Sequence, residues 1–308
     1  MPTLPTPDGD ELDRLARVLE ESADYKVSRR LPVRAMYAAP DGRPLLRGVI
    51  VDTETTGLSS DTDQIIEVAV LSFEFDPDTG QVYRILGSYD WLEDPGRPIP
   101  AEATAVHDIT DAMVAGQRID DVQVQQMVQG TALIIAHNAE FDRPFLERRM
   151  PLFASLPWGC SYRQIDWTAE GIGSAKLEYI AYQSGFFYDA HRAEMDCRAT
   201  LEVLQIPLPI SAELPLKLLH SRLNQKDWRV YALASPFESK DLLKDHAYRW
   251  DAQRKVWHRT LDEAAMREEI AWLKANVYKR EKILLEFEGL DALTRFSTRT
   301  GKSVRKEV

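Results

Sequence analysis

The sequence predicts an α/β fold, a mixed sheet flanked by helices, with a small C-terminal α+β module behind it. Three observations carry this expectation. Extended segments at 48–54, 64–76 and 81–92 follow one another through short connections and read as an antiparallel meander. From Ala132 onward, apolar strand-like runs alternate with helical patterns, so the sheet becomes mixed and acquires flanking helices. Past Pro207-Leu-Pro-Ile210, which reads as a linker, the order changes to β-α-β-β-α. The expected organisation is an N-terminal extension at 1–46, helical in part, a main domain at 47–206, the module at 207–285 and a basic, partly disordered tail at 286–308.

The chain has 308 residues, 44% hydrophobic and 28% charged, which is the composition of a soluble globular protein with a substantial core. Its two cysteines, Cys160 and Cys197, provide neither a disulfide framework nor a zinc-binding spacing, which suits a reducing compartment. The first residues lack the basic and apolar regions of a signal peptide, and no apolar run approaches the roughly 20 residues of a membrane helix. A cytoplasmic location and no membrane partner are therefore expected. The net charge of −11 is uneven. Residues 207–308 hold 20 Lys and Arg against 15 Asp and Glu, a balance of +5, which leaves 18 against 34, or −16, for residues 1–206. A mildly basic second half points weakly toward a polyanion.

In chain order, residues 1–10 read as a loose Pro-rich tail and 10–21 as a helix with Asp10 at its N-cap. Residues 24–31 fit a strand or a further helical turn. The run Gly48–Val51 is apolar and β-branched, as in a buried strand, and Asp52 and Glu54 follow it. At i and i+2 on an extended backbone, both carboxylates point to one face. Two such anions repel and lose hydration, so they need a cation, and a hard divalent ion held by oxygen ligands answers that need. Residues 98–116 carry two short helical pieces around His107, which is as well explained by a loop or capping role as by substrate contact. A helix at 119–129 and a buried strand at 132–136 precede His137-Asn-Ala-Glu-Phe-Asp142, which opens a helix running to Arg149. Asp142 falls in its first turn or so, where the helix dipole favours an anion. A short strand is expected at Gln164–Asp166, then helices at 177–183 and 191–204. His191 and Asp196 are five residues apart, a rotation of about 500°, or about 140° past a full turn. Asp196 can therefore face the sheet while His191 sits on a lip above it.

Collected, Asp52, Glu54, Asp142 and Asp196 each stand where an apolar element ends or packs toward a common sheet face. Carboxylates without cysteine or neighbouring histidine ligands suit magnesium or manganese better than zinc. Two such ions about 3.5–4 Å apart can clamp the attacking and leaving oxygens of a phosphodiester, and a histidine can take the proton from the attacking water.

The wording of these segments resembles the DEDD exonucleases of the histidine subclass, a family that includes the proofreading epsilon subunit of bacterial DNA polymerase III. V-D-T-E-T-T-G-L, A-H-N-A-E-F-D and H-R-A-E-M-D resemble its three motifs in order, with the H-x4-D spacing present. V-H-D-I-T resembles its H-G-I-T loop, with Asp108 in place of glycine. The resemblance spans about residues 47–206. It implies a ribonuclease H-like sheet, two Mg2+ or Mn2+ ions on Asp52, Glu54, Asp142 and Asp196, and His191 as general base. It also implies that Thr55, Thr56 and Leu58 line the terminal nucleotide, with His107 and Phe141 nearby. The expected activity is 3′→5′ removal of mononucleotides from single-stranded ends, DNA being favoured over RNA, with a polymerase or other replication or repair protein as partner. The competing readings are an exoribonuclease and a non-catalytic nucleic-acid-binding module.

In the second half, strands at 229–235, 248–250 and 256–260 and helices at 239–246 and 261–277 are expected. Trp250 and Trp257, beside Arg249, Arg254, Lys255 and Arg259, have the chemistry to stack on bases and bind phosphates. Packing in the module's core is the favoured role for both tryptophans. Thr300-Gly-Lys-Ser303 is not a phosphate loop, because Phe296 stands where that motif needs glycine.

Overall fold

The apolar run before Asp52 becomes the centre of a sheet in the computed structural model, which describes residues 9–299 and 301–308. The expected Pro-rich tail lies outside those residues except for its last two, which begin α1 (Gly9–Glu20). No side chain of α1 is buried. A two-residue strand β1 (Arg29–Arg30) follows, and then the main sheet: β2 (Leu46–Thr55), β3 (Ile65–Phe75) and β4 (Val82–Leu92). After α2 (Ala101–His107), α3 (Asp111–Val114) and α4 (Asp121–Val128) come β5 (Leu133–Ala136), α5 (Ala139–Arg149) and β6 (Trp158–Cys160). Then α6 (Leu177–Gln183), β7 (Phe186–Phe187), α7 (Ala193–Leu204) and α8 (Pro215–Ser221) complete this half. The sheet order is β4-β3-β2-β5-β6. β2, β3 and β4 pair antiparallel as the meander predicted, whereas β5 and β6 join parallel. This is the ribonuclease H-like mixed sheet.

Alternation along β2 divides the core in two. Ile50 points to a cluster with Leu71, Phe73 and the α7 residues Cys197 and Leu201. Val49 and Val51 point to the other face, against Val68, Val70, Phe145 and Leu146. Helices α7 and α5 therefore cover opposite faces of the strand that carries Asp52 and Glu54.

The first cluster also includes Leu208, Leu216 and Leu219. The expected linker at 207–210 and α8 thus belong to the main core, and the second unit begins only with β8. Its elements are β8 (Asp227–Ala232), α9 (Lys240–Asp245), β9 (Arg249–Asp251), β10 (Val256–Asp262), α10 (Glu263–Trp272), β11 (Leu284–Leu290) and β12 (Ser303–Glu307). They form an antiparallel sheet in the order β12-β11-β8-β10-β9.

Four further expectations need correction. The segment read as a basic tail from residue 286 supplies two strands. Its acids are buried and paired, Glu286 with Arg254 and Arg305, and Glu288 with Arg229 and the Tyr231 hydroxyl. Partners distant in sequence make an ordered strand of what reads locally as a charged end. No strand forms at Gln164–Asp166. The edge strand is Trp158–Cys160, and Gln164 caps it by accepting the Cys160 N–H at 2.8 Å. The expected helix at 261–277 starts at Glu263, because β10 runs to Asp262, whose side chain caps the helix through the Ala265 N–H at 2.8 Å. It ends in a π-helical turn, Leu273–Tyr278. Lastly, Trp257 is half-buried against the second unit's core, but Trp250 is half exposed.

Arg143, the residue after Asp142, joins the two units. It is fully buried, ion-pairs with Glu147 at 2.6 Å, and donates to the carbonyls of Leu293 and Arg295 at 2.5 and 2.6 Å. The Trp158 N–H donates to the Ala292 carbonyl at 2.8 Å, and Arg249 of β9 pairs with Glu140 of α5 at 2.9 Å.

Candidate active site

Strand alternation places Asp52 and Glu54 on the α7 face of β2, where Asp196 in the first turn of α7 meets them. One carboxylate oxygen from each of these three lies within 4.8 Å of the others, a group able to hold a metal ion. Asp196 is held by the Tyr188 hydroxyl, which donates to it at 2.9 Å, and by the Arg192 N–H at 3.1 Å.

Asp142 arrives from the opposite face and is not one of those three. β5 pairs with β2 only over Gly48–Ile50, so the edge of β2 beyond Ile50 is open on that side. There Asp142, itself buried, accepts the N–H and hydroxyl of Thr53 at 3.0 and 2.8 Å. The fourth acid is thus seated at the same strand, with one oxygen engaged by Thr53.

Burial is the first cause of a raised pKa in all four acids. Glu54 is pushed up to about 8, with repulsion from Asp196 and Glu67 added. Asp142 rises to about 7 and Asp196 to about 6, the latter held down by the Tyr188 hydroxyl. Asp52 goes well above the carboxylate range, with Asp142 and Asp196 as its strongest repelling neighbours. Acids that resist ionising together are relieved by a cation, and an all-oxygen donor set fits a hard divalent ion.

His191 lies just before α7, exposed, with φ of 63°, a left-handed conformation that costs a non-glycine residue about 1–2 kcal/mol. What holds it there is Glu67, which sequence reasoning missed. Glu67 stands on β3 directly opposite Glu54 and is fully buried. It accepts two N–H groups of Arg192, at 3.0 and 3.2 Å, and the Ala193 N–H at 3.0 Å. The available signal was a lone acid inside Ile65-Ile-Glu-Val-Ala-Val70. Thr53 and Tyr188 were also missed, and nothing local marks them.

The residues expected around the substrate are more varied. The Thr55 hydroxyl donates to the Gly57 carbonyl at 2.6 Å, and the Thr56 hydroxyl accepts from the Gln64 N–H and from Arg97, both at 3.1 Å. Both buried side chains are engaged in shaping the loop 57–64. A Cβ at Gly57 would meet the Asp63 carboxylate at 2.6 Å, so a larger residue there would require that side chain to shift. Leu58 stands 88% exposed on that loop, so it is not core. His107 is buried with its Nδ1 accepting the Ile109 N–H at 3.0 Å and its Nε2 without a hydrogen-bond partner among the described residues. Burial pushes its imidazole below the usual range. Phe141 is half-buried and tilts against Phe145 at 5.2 Å.

Three carboxylates at the centre of a ribonuclease H-like sheet, with a fourth beside them, define a candidate divalent-metal centre for phosphate-ester chemistry. The family model for the exonuclease family, RNase T type, matches residues 49–204, and the chain belongs to that family. It therefore carries a 3′→5′ exonuclease domain, a hydrolase of phosphodiester bonds. Members of this family use divalent metal ions, and the acidic cluster here is compatible with one. The DNA polymerase III subunit epsilon of Treponema pallidum (strain Nichols) is 32% identical over 164 residues, which are 49% of this chain and 72% of that protein. A DNA polymerase III subunit epsilon-like protein of Rhodobacter capsulatus is 43% identical over 106 residues, 33% of this chain but 14% of that protein. Among solved structures, exonuclease X in complex with 5′ overhanging duplex DNA is 30% identical, with a TM-score of 0.38, 50% of this chain and 86% of that one being covered. E. coli exonuclease I in complex with a dA16 oligonucleotide is 13% identical, with a TM-score of 0.46 and coverage of 61% and 48%.

Proposed function

We propose that the chain hydrolyses the terminal phosphodiester at single-stranded 3′ ends, DNA being the favoured substrate, and releases mononucleotides. The observation that carries this is the meeting of Asp52, Glu54 and Asp196 within 4.8 Å, from a strand and a helix far apart in sequence. In this reading Asp52, Glu54 and Asp196, with Asp142 beside them, hold two Mg2+ or Mn2+ ions. When bound, such ions would stabilise the negative charge that builds up on the phosphate as it is hydrolysed. The chain's own part is positioning and proton transfer. Thr53 and Tyr188 orient Asp142 and Asp196. His191, on its exposed lip, takes the proton of the attacking water on its neutral imidazole. The exposed side chain of Leu58 and the half-buried ring of Phe141 offer apolar contact to the terminal base in this reading, with His107 as a further candidate contact.

The names of the relatives also suggest association with a replicative polymerase, which belongs to the same proposal. So does a cytoplasmic location. Among the described residues, no helix is long and apolar enough to cross a membrane.

The test is release of nucleotide from the 3′ end of labelled single-stranded DNA and RNA, with and without Mn2+, by the parent and by Asp52→Ala. Metal-dependent release from DNA by the parent alone is expected. Release from RNA alone would replace the substrate, and no release from either would remove the assignment.

A further inference from the structure

The hairpin of β9 and β10 carries a surface that the nuclease site does not use. Trp250 and Trp257 are direct cross-strand partners, their rings 5.4 Å apart and tilted by 59°. Trp257 rests half-buried on the core, while Trp250 is 50% exposed and Phe237, which opens a short 3-10 turn after β8, is 79% exposed. Across β8 the partner of Trp257 is Ala232, whose small side chain leaves room beside the indole. The result is an open cavity of about 450 Å³ shared by the three rings, with Lys240 and Lys255 in its lining and no carboxylate. The Lys240 ammonium lies 5.1 Å from the centroid of the Phe237 ring.

The charges here differ in kind from the rest of the hairpin's. Arg249, Arg254 and Arg259 are engaged by Glu140, Glu286 and Glu269. Among the described residues, neither Lys240 nor Lys255 has an ion-pair partner. In a chain of net charge −11, an acid-free pocket with two uncompensated lysines selects for an anion. Exposed aromatic faces beside it select for a planar, π-bearing ligand. A strand of unpaired nucleotides meets both demands at once, a base on each exposed ring and a phosphate at each lysine. An apolar or Pro-rich peptide would use the rings and gain nothing from the lysines.

We propose that Phe237, Trp250 and Trp257, with Lys240 and Lys255, form a second binding site for single-stranded nucleic acid, which holds bases by stacking and phosphates by charge. The identity of the ligand rests on the exonuclease reading, whereas the binding itself needs no metal. Arg249 faces Glu140, and side chains alternate along a strand, so Trp250 faces away from α5. The site thus grips nucleotides away from the reacting end.

The experiment is fluorescence anisotropy of labelled oligo(dT) and oligo(rU) 20-mers with the full-length protein in a chelator, where no hydrolysis occurs. Trp250→Ala and Phe237→Ala change exposed side chains, and their folding is checked by thermal melting. Each should weaken binding about tenfold, which is the effect of losing one stacked base. The Lys240→Ala/Lys255→Ala double variant should reduce the slope of log K against log salt by about 1.4, or about 0.7 per phosphate contact. The two oligonucleotides report whether the sugar matters. Parental binding with unchanged affinity and salt slope in every variant would overturn the proposal and leave the patch to a protein partner, as would failure of the parent to bind. Failure of metal-dependent hydrolysis in the separate assay bears on the exonuclease reading, not on this one.

Discussion

Glu67 on β3 and Arg192 at the entrance to α7 are ion-paired at 3.0 Å, and through that pair the sheet holds the residue next to His191 in place. Asp90 lies 3.9 Å from the same guanidinium, so one arginine serves two acids. Burial, and then repulsion by Glu67, push Asp90 up to about 7. Glu67→Gln keeps the shape and removes the charge. It should lower kcat by about ten- to a hundredfold, the scale of a misplaced reacting group, with KM little changed. Stabilisation by Mn2+, read as a shift in Tm, should persist. Unchanged kcat would reduce the pair to a packing contact.

Asp52→Ala and Asp196→Asn should each abolish turnover while the protein stays folded, because the remaining carboxylates cannot place the ions. Circular dichroism and nucleotide release, measured side by side, check this. Near-parental activity in either variant would remove the metal-ligand role.

His191→Ala should cut turnover by roughly 10²–10⁴-fold, the usual worth of a positioned base. The Mn2+-induced shift in Tm should survive, since the three clustered carboxylates do not include it. Loss of that shift would make His191 a ligand instead.

Stability without metal should fall as pH rises. Glu54 and Asp142 keep their protons up to about 8 and 7 in the folded chain, against about 4 when unfolded. Between those values the folded state binds more protons than the unfolded one, so raising pH favours unfolding. In a chelator, Tm should be lower at about pH 8 than at about pH 5, and Mn2+ should restore more of it at the higher pH. A chelated protein that melts higher at the alkaline end would contradict the crowding of acids described above.

Truncation after Ile206 should not leave a sound domain. That cut removes Leu208, Leu216 and Leu219 from the main core and the carbonyl partners of buried Arg143. Arg143 keeps its ion pair with Glu147, but hydrogen bonds made by a charged group are worth about 1.5–3 kcal/mol each. Denaturant unfolding of the 1–206 fragment, set beside the full chain, measures the loss, and equal stability would show that the two units are independent.

Local chemistry determined much of this protein in advance. A strand has a period of two, so Asp52 and Glu54 had to share a face wherever the strand lay. The helical pattern over 191–204 put Asp196 inside a helix with His191 at its start. The antiparallel meander followed from short connections. The tertiary structure decided what depends on partners remote in sequence. Asp142 is anchored by Thr53, 89 residues away, because β5 stops short along β2. Glu67 reaches Arg192 across 125 residues. The charged C-terminal stretch becomes strands where Leu285 and Phe287 enter the second unit's core and Arg229 and Arg254 pair with its acids. Pairing of this kind is a property of the folded surface, and no window of neighbouring residues contains it.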